Sequence, residues 1–300
     1  MKKRLLLFCL LTFFLFLMVD ANYYSDAIFD YTKLFIRNLF PFTFVIFVLS
    51  RLLFEFGLFE VFPTTLSILF LSMVSGFPSG SKFLAEQDYL KEKDANLLLR
   101  VCHFPNPFFV LGSISTVIEK DRCGFLLLIL YGSSLVQVFL GGGLSLKKEN
   151  YQNDNTDYFC AFQNALKDSI LTILLIYGTS LFSYLIADEG IRIMKLHGIS
   201  YSFFYGIFDL TKGIFSTTLL HQKRIREILI LFFLSFGSIS IHLQVIQILR
   251  DSKYQYSSFL RGRILGTILC FILYFTMLYS WLDKKYWLHT WYLIEYEKSQ

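Results

Sequence analysis

Residues 66–81 read LSILFLSMVSGFPSGS. The apolar part, Leu66 to Val74, is too short to cross a hydrocarbon core about 30 Å thick at a rise of about 1.5 Å per residue. It stops at Ser75, Gly76, Phe77, Pro78, Ser79, Gly80 and Ser81, after which Lys82, Glu86, Asp88, Lys91, Glu92, Lys93 and Asp94 appear. A half-helix, a tip of small residues and an amphipathic return predict a re-entrant hairpin. Glycine and proline at such a tip release backbone groups that are tolerated at membrane depth only where they line a cavity or are buried in protein. A loop just outside the membrane is the other reading of the same residues.

The rest of the chain supplies the membrane context. Of its 300 residues 55% are hydrophobic and 17% charged, against about 25% charged in soluble domains. Mean hydropathy is +0.53. Together these exclude a water-soluble enzyme and predict an all-α, polytopic helical membrane protein with no sizeable soluble domain. The net charge of +5 comes from residues scattered at segment ends, so no nucleic-acid surface is expected. Cys9, Cys102, Cys123, Cys160 and Cys270 are odd in number and lack CxxC spacing, which argues against a disulfide framework, a zinc site or any other bound cofactor.

Upstream, Lys2, Lys3 and Arg4 precede the apolar run Leu5 to Val19, read as an uncleaved first span with a cytoplasmic N-terminus. Residues 22–39 mix tyrosines with charges in the manner of an interfacial helix. PFTFVIFVLSRLLFEFGLF, residues 41–59, is a span carrying Arg51 and Glu55 on one face, whose cost of roughly 5–7 kcal/mol near the bilayer centre implies that this face meets protein or water. Downstream, residues 96–118 make a span broken at Pro105, Asn106 and Pro107, and residues 124–144 a cleaner one. KKENYQNDNTD, residues 147–157, is a polar linker near the middle of the chain.

The second half is expected to repeat the first. It has a span from Ile170 to Ala187, an interfacial-looking YGIFDLTKGIF at 205–215, and an apolar arm ILILFFL at 228–234 that stops at SFGSIS, residues 235–240. A return arm, IHLQVIQILR, and a last span from Phe259 to Leu282 follow. The predicted layout is thus a first span (1–21), two halves (22–144 and 159–282) each with a re-entrant hairpin, a linker (145–158) and a tail (283–300). The sidedness of residues 188–227 stays open, because it depends on whether residues 201–220 cross.

No paired nucleophile and base, HExxH or phosphate-cradling GxxxxGK is present. Two interrupted segments in corresponding places are instead the sequence mark of a carrier whose solute site lies between repeats. Half-helix N-termini at the tips attract anionic groups. The candidate solute-binding residues read at the tips and breaks are Ser79, Ser81, Asn106, Ser235, Ser238, His242 and Gln244, with Lys82 adding positive charge; His103 and His242 are candidate proton shuttles.

Four strings in order resemble one family. SGFPSGSKFLAEQ is similar to the SGYPxGAK element of the sporulation integral membrane protein family YlbJ (SpoVV), whose members contain nucleoside-recognition Gate modules. Pro107 to Gly112, Gly206 to Gly213 and Ser235 to Val245 resemble that family's GP-F-I-x-G, GxFEITxG and GFGGLSVHAQV stretches. His103, Asn106, Asp209 and Ser238 stand where the family has Asn, Gly, Glu and Gly. The resemblance covers roughly residues 35–282, and carried over residue by residue it implies Ser75, Gly76, Pro78, Gly80, Lys82, Pro107, Asp209, Thr211, Gly213, His242 and Gln244 as site residues. It implies two inverted Gate-like repeats, a multi-pass protein of the cell or forespore membrane, and transport of a small polar or anionic solute with dipicolinate as the candidate. A non-transporting scaffold for spore-envelope assembly is the alternative. The expected partners are that solute and the lipid bilayer, and homo-oligomerisation is left open.

Overall fold

The computed structural model describes residues 2–146 and 157–298. All regular structure among them is helical, and the chain is an all-α polytopic membrane protein. Four segments are long and apolar enough to cross a bilayer: Lys120–Leu140, Tyr158–Met194, Lys223–Leu249 and Tyr256–Met277. A fifth arises if Ala21–Asn38 (α2) and Phe40–Glu55 (α3), bent by 53° at Leu39, are one span. Pro41 favours this start for α3, since a proline in the first turn forfeits no intrahelical bond. The helix α1, Lys2–Val19, leaves Leu7, Phe8, Leu11, Phe14, Leu15 and Met18 exposed, as a lipid-facing helix does. Most of the polar linker, including Lys147 and Lys148, lies outside the described residues.

The first hairpin forms where its sequence predicts. After the short α4, Leu58–Val61, helix α5 (Thr64–Ser75) and helix α6 (Ser79–Ala85) fold back on each other. A Cβ at Gly80 would lie 2.8 Å from the Ser72 Cβ, whereas eight residues of continuous helix would separate them by about 12 Å. Gly76 makes the turn at φ +79°, a conformation that costs other residues dearly.

The second predicted hairpin is misplaced. Helices α12 (Lys223–Phe236) and α13 (Ile239–Leu249) do not fold back at SFGSIS; they are bent by less than 40° and form one apolar 27-residue segment. At about 1.5 Å per residue that is roughly 40 Å, enough for a crossing. Gly237 at φ +84° only interrupts the helix, and Ser238, extended at φ −97° and ψ 168°, starts it again.

The fold-back lies upstream, in the stretch read as interfacial. Helices α10 (Gly198–Phe208) and α11 (Leu210–Ser216) meet so closely that a Cβ at Gly213 would sit 2.2 Å from the Gly206 Cα. Asp209 forms the corner and caps α11, its carboxylate accepting from the Lys212 N–H at 2.7 Å.

With that change the two halves share an order of elements, apart from α2 and the short α4. The first runs α3, hairpin α5/α6, an interrupted segment and α8 (Lys120–Leu140); the second runs α9 (Tyr158–Met194), hairpin α10/α11, the interrupted α12/α13 and α14 (Tyr256–Lys298). The first half's interrupted segment is α7 (Glu92–Val101), a non-helical stretch through Asn106, and a π-helical turn at Phe109–Ser113. Pro105 and Pro107 explain that break, because proline lacks an N–H and keeps the residue before it out of the helical region.

Corresponding helices run antiparallel. Arg51 of α3 and Phe56 just after it meet Asp168 and Tyr158 of α9 in reversed order, and Phe125, Ser133 and Gln137 of α8 meet Tyr274, Cys270 and Gly266 of α14. One apolar core joins α5–α8 of the first half to α12–α14 of the second, while α2 and α3 share another with α9 and α10.

Candidate functional site

Both hairpin tips and both helix breaks converge on one cavity of about 40 Å³, room for two or three waters. Phe77 comes from the first tip and Leu210 and Thr211 from the second. Pro105, Asn106 and Phe109 come from the first break, and Ser240, Ile241 and Gln244 from the second. Leu39 and Thr43 close it at the start of α3, and Ile176 and Ser180 close it on α9. The polar lining is uncharged: two amides and four hydroxyls.

The break residues are held by their own chemistry. Asn106 Oδ1 accepts from the N–H groups of Phe108 at 2.8 Å and Phe109 at 3.4 Å, restarting the helix, while its Nδ2 donates to the Phe42 carbonyl at 3.1 Å. Gly76 packs on that same backbone, since a Cβ there would lie 2.4 Å from Asn106 N. The first tip and the first break are therefore one unit. In the second break, the Ser238 and Ser240 hydroxyls bond each other at 2.7 Å, and Gln244 Nε2 donates to Thr179 Oγ1 at 3.0 Å.

Arg263 of α14 joins the two breaks. Its Nε and both terminal nitrogens donate to the carbonyls of Leu234 (2.8 Å), Ser235, Phe236 (3.1 Å) and His103 (2.8 Å). These are backbone acceptors released where α12 and α7 stop. Its guanidinium carbon also lies 5.2 Å from the centre of the Phe77 ring. A buried cation here is balanced by the negative end of α12. In the sequence Arg263 stands near the start of the last span, and nothing in its neighbours marks a buried role.

Of the predicted residues, Asn106, Thr211 and Gln244 line the cavity. Gly76, Pro78 and Gly80 shape the first tip, Gly80 by close approach to the Cys102 carbonyl. Ser75 and Ser235 bond the carbonyls of Leu71 and Phe232 in their own helices, and Ser79 is buried in the first turn of α6.

Lys82 does not offer a free charge. Its Nζ sits 2.5 Å from Asp168 Oδ1 and 2.7 Å from Thr172 Oγ1 of α9, and Arg51 of α3 in turn bonds Glu86, at the end of α6, at 2.5 Å. The return arm of the first hairpin is thus tied to both spans beside it. Asp209 is fully buried at the second tip, behind Thr211. His242 Nδ1 pairs with the Tyr256 hydroxyl at 2.5 Å, and its ring packs among Phe236 and Phe259. His103 Nε2 bonds the Leu99 carbonyl at 2.6 Å.

A larger basin of about 410 Å³ lies by the second hairpin, lined by Lys33, Arg37 and Lys212 with one acid, Asp30. It shares α11 with the walls of the cavity. Among the described residues no cluster of three His, Cys, Asp or Glu side chains is placed to hold a metal ion.

No protein-family model, curated protein or solved structure matches the chain.

Proposed function

We propose that the protein is a carrier in the cell membrane for a small polar solute, bound where the two tips and two breaks meet once movement of the halves widens the cavity beyond its present volume of about 40 Å³. The observation that carries this reading is that convergence: six uncharged polar side chains, contributed by both halves, face one cavity. A scaffold would need no space between its two halves to which polar side chains of both are turned. Antiparallel corresponding helices support alternating access, since each half can open toward its own side.

The reading extends to an anionic solute and to the Gate-containing sporulation family on two further grounds. Three cations against one acid around the basin beside the second hairpin favour collection of anions. The four strings that resemble the family fall on the first tip, the first break, the second hairpin and the second break, the elements that build the cavity. Dipicolinate in a forespore or cell membrane is therefore the first solute to test. Equilibrium dialysis of labelled dipicolinate against the purified, detergent-solubilised protein should show saturable binding, weakened about tenfold in Thr211→Ala, the loss of one hydrogen bond. No saturable binding would count against this solute.

A further inference from the structure

At one end of the bundle, α7, the loop 250–255 and the start of α14 surround a basin of about 610 Å³, within the range of about 300–1,000 Å³ for small-ligand sites. It lies where the crossing segment Lys223–Leu249 ends and the next, Tyr256–Met277, begins, which puts it at the level of the lipid head groups. Arg100, Lys253 and Arg261 line it against a single acid, Glu92, with Asn96 and Ser258 among its polar groups.

These cations are held in place but not neutralised. Gly262 has no room for a Cβ beside the Arg100 backbone, so α7 and α14 touch there and carry Arg100 and Arg261 on adjoining backbone. Lys253 is fixed by donating to the Asp88 carbonyl and by lying over the Tyr254 ring, 5.3 Å from its centre. Among the described residues no acid forms an ion pair with any of the three, and Arg100 Nε is buried without an acceptor. Ser258 Oγ donates to Asn96 Oδ1 at 2.7 Å, which leaves Asn96 Nδ2 as a donor for a ligand. Like charges around one basin repel each other, and an anion among them turns that repulsion into attraction.

Beyond Arg261 the same face of α14 turns apolar. Ile264, Leu265, Ile268, Ile272 and Phe275 follow it at the spacing of one helix face and are each 40–53% exposed. From Arg261 to Phe275 the stripe runs about 21 Å, longer than the hydrocarbon depth of one leaflet, about 15 Å. A free anion fits the basin alone, whereas a phospholipid fits the basin and the stripe together. We propose that the basin binds the phosphate head group of an anionic phospholipid whose acyl chains lie along this face of α14. The bound head group bridges α7 of the first half and α14 of the second, as basic pockets between membrane helices do for anionic lipids. The site is independent of the carrier reading.

The test is native mass spectrometry of the full-length protein in detergent, titrated with palmitoyl-oleoyl phosphatidylglycerol or the matching phosphatidylcholine. One phosphatidylglycerol should bind roughly a hundredfold more tightly than phosphatidylcholine, at about fivefold for each of three basic residues near the anionic head. Arg261→Gln, at an exposed position, should fold like the parent and lower that preference about fivefold, and Arg100→Gln added to it should lower it about fivefold again. Lys195→Gln with Arg224→Gln, which removes two exposed cations elsewhere, should leave the preference within about twofold of the parent. Equal binding of the two lipids by the parent, or an unchanged preference in the arginine variants, would overturn the proposal. A loss as large in the Lys195 and Arg224 variant would show a response to net charge alone and overturn it too. Inorganic phosphate in tenfold excess should not displace the lipid; displacement would assign the basin to a free anion instead.

Discussion

Gly213 lies against Gly206 with no room for a side chain on either: a Cβ at 213 would come 2.2 Å from the Gly206 Cα, and a Cβ at 206 would meet the Phe233 ring at 2.1 Å. This pair places the second hairpin. Its two arms touch backbone to backbone, and the same surface of α10 receives α12, so the hairpin and the second broken span are packed as one block.

Gly213→Ala would drive a methyl group into backbone that cannot turn aside. We expect a loss of at least about 1–3 kcal/mol, the range for overpacked cores, seen as a lower unfolding temperature in detergent. Gly178→Ala, on α9 where nothing lies within 4 Å of the added carbon, should instead stabilise by about 0.5–1 kcal/mol through helix propensity. Equal effects at the two positions would contradict the hairpin packing.

Arg263→Met keeps most of the volume but removes every donor to the carbonyls of Leu234, Ser235, Phe236 and His103. Each buried acceptor left without a partner costs about 1–3 kcal/mol, so the expected loss exceeds about 3 kcal/mol. Arg263→Lys, with a single ammonium, should recover only part of it. A variant as stable as the parent in chemical unfolding would show that the breaks are held by other means.

The tie between Lys82 and Asp168 is measured by a double-mutant cycle. Both side chains are partly exposed, at 22% and 28%, so a coupling of about 0.5–1 kcal/mol is expected. Because Lys82 is engaged by α9 rather than by the cavity, Lys82→Ala should leave the affinity for solute within about twofold of the parent. A tenfold loss would return Lys82 to the binding site.

Much of this was legible in the sequence. SGFPSGS marks a reversal because three special residues, Gly76, Pro78 and Gly80, act within five positions, and Pro105 with Pro107 marks a break for the same reason. SFGSIS and YGIFDLTKGIF were exchanged. A lone glycine flanked by serines looks alike whether the helix turns back or merely pauses, and the length of apolar chain on both sides, 27 residues in all, was the cue for a crossing. In YGIFDLTKGIF the signal was present as two glycines seven apart around a capping aspartate, which reads as two helices touching rather than one lying in the interface. Asn106 and Gln244 stood out as polar residues at breaks, and Thr211 through the resemblance alone. Thr43, Ser180 and Ser240 did not, because a hydroxyl on an apolar helix more often bonds its own backbone, and only the packing of six elements shows which hydroxyls face a cavity. Arg263 was hidden for a related reason: its partners are backbone carbonyls, which no residue type announces.

The central claim, that the meeting point of the tips and breaks is a solute site, is tested most directly by exchange of labelled dipicolinate in proteoliposomes containing the parent, Asn106→Ala or Gln244→Ala. The account predicts exchange by the parent above that of empty liposomes, with the apparent affinity about tenfold weaker in each variant, as the loss of about 1–1.5 kcal/mol of hydrogen bonding requires. Exchange unchanged in both variants would contradict it.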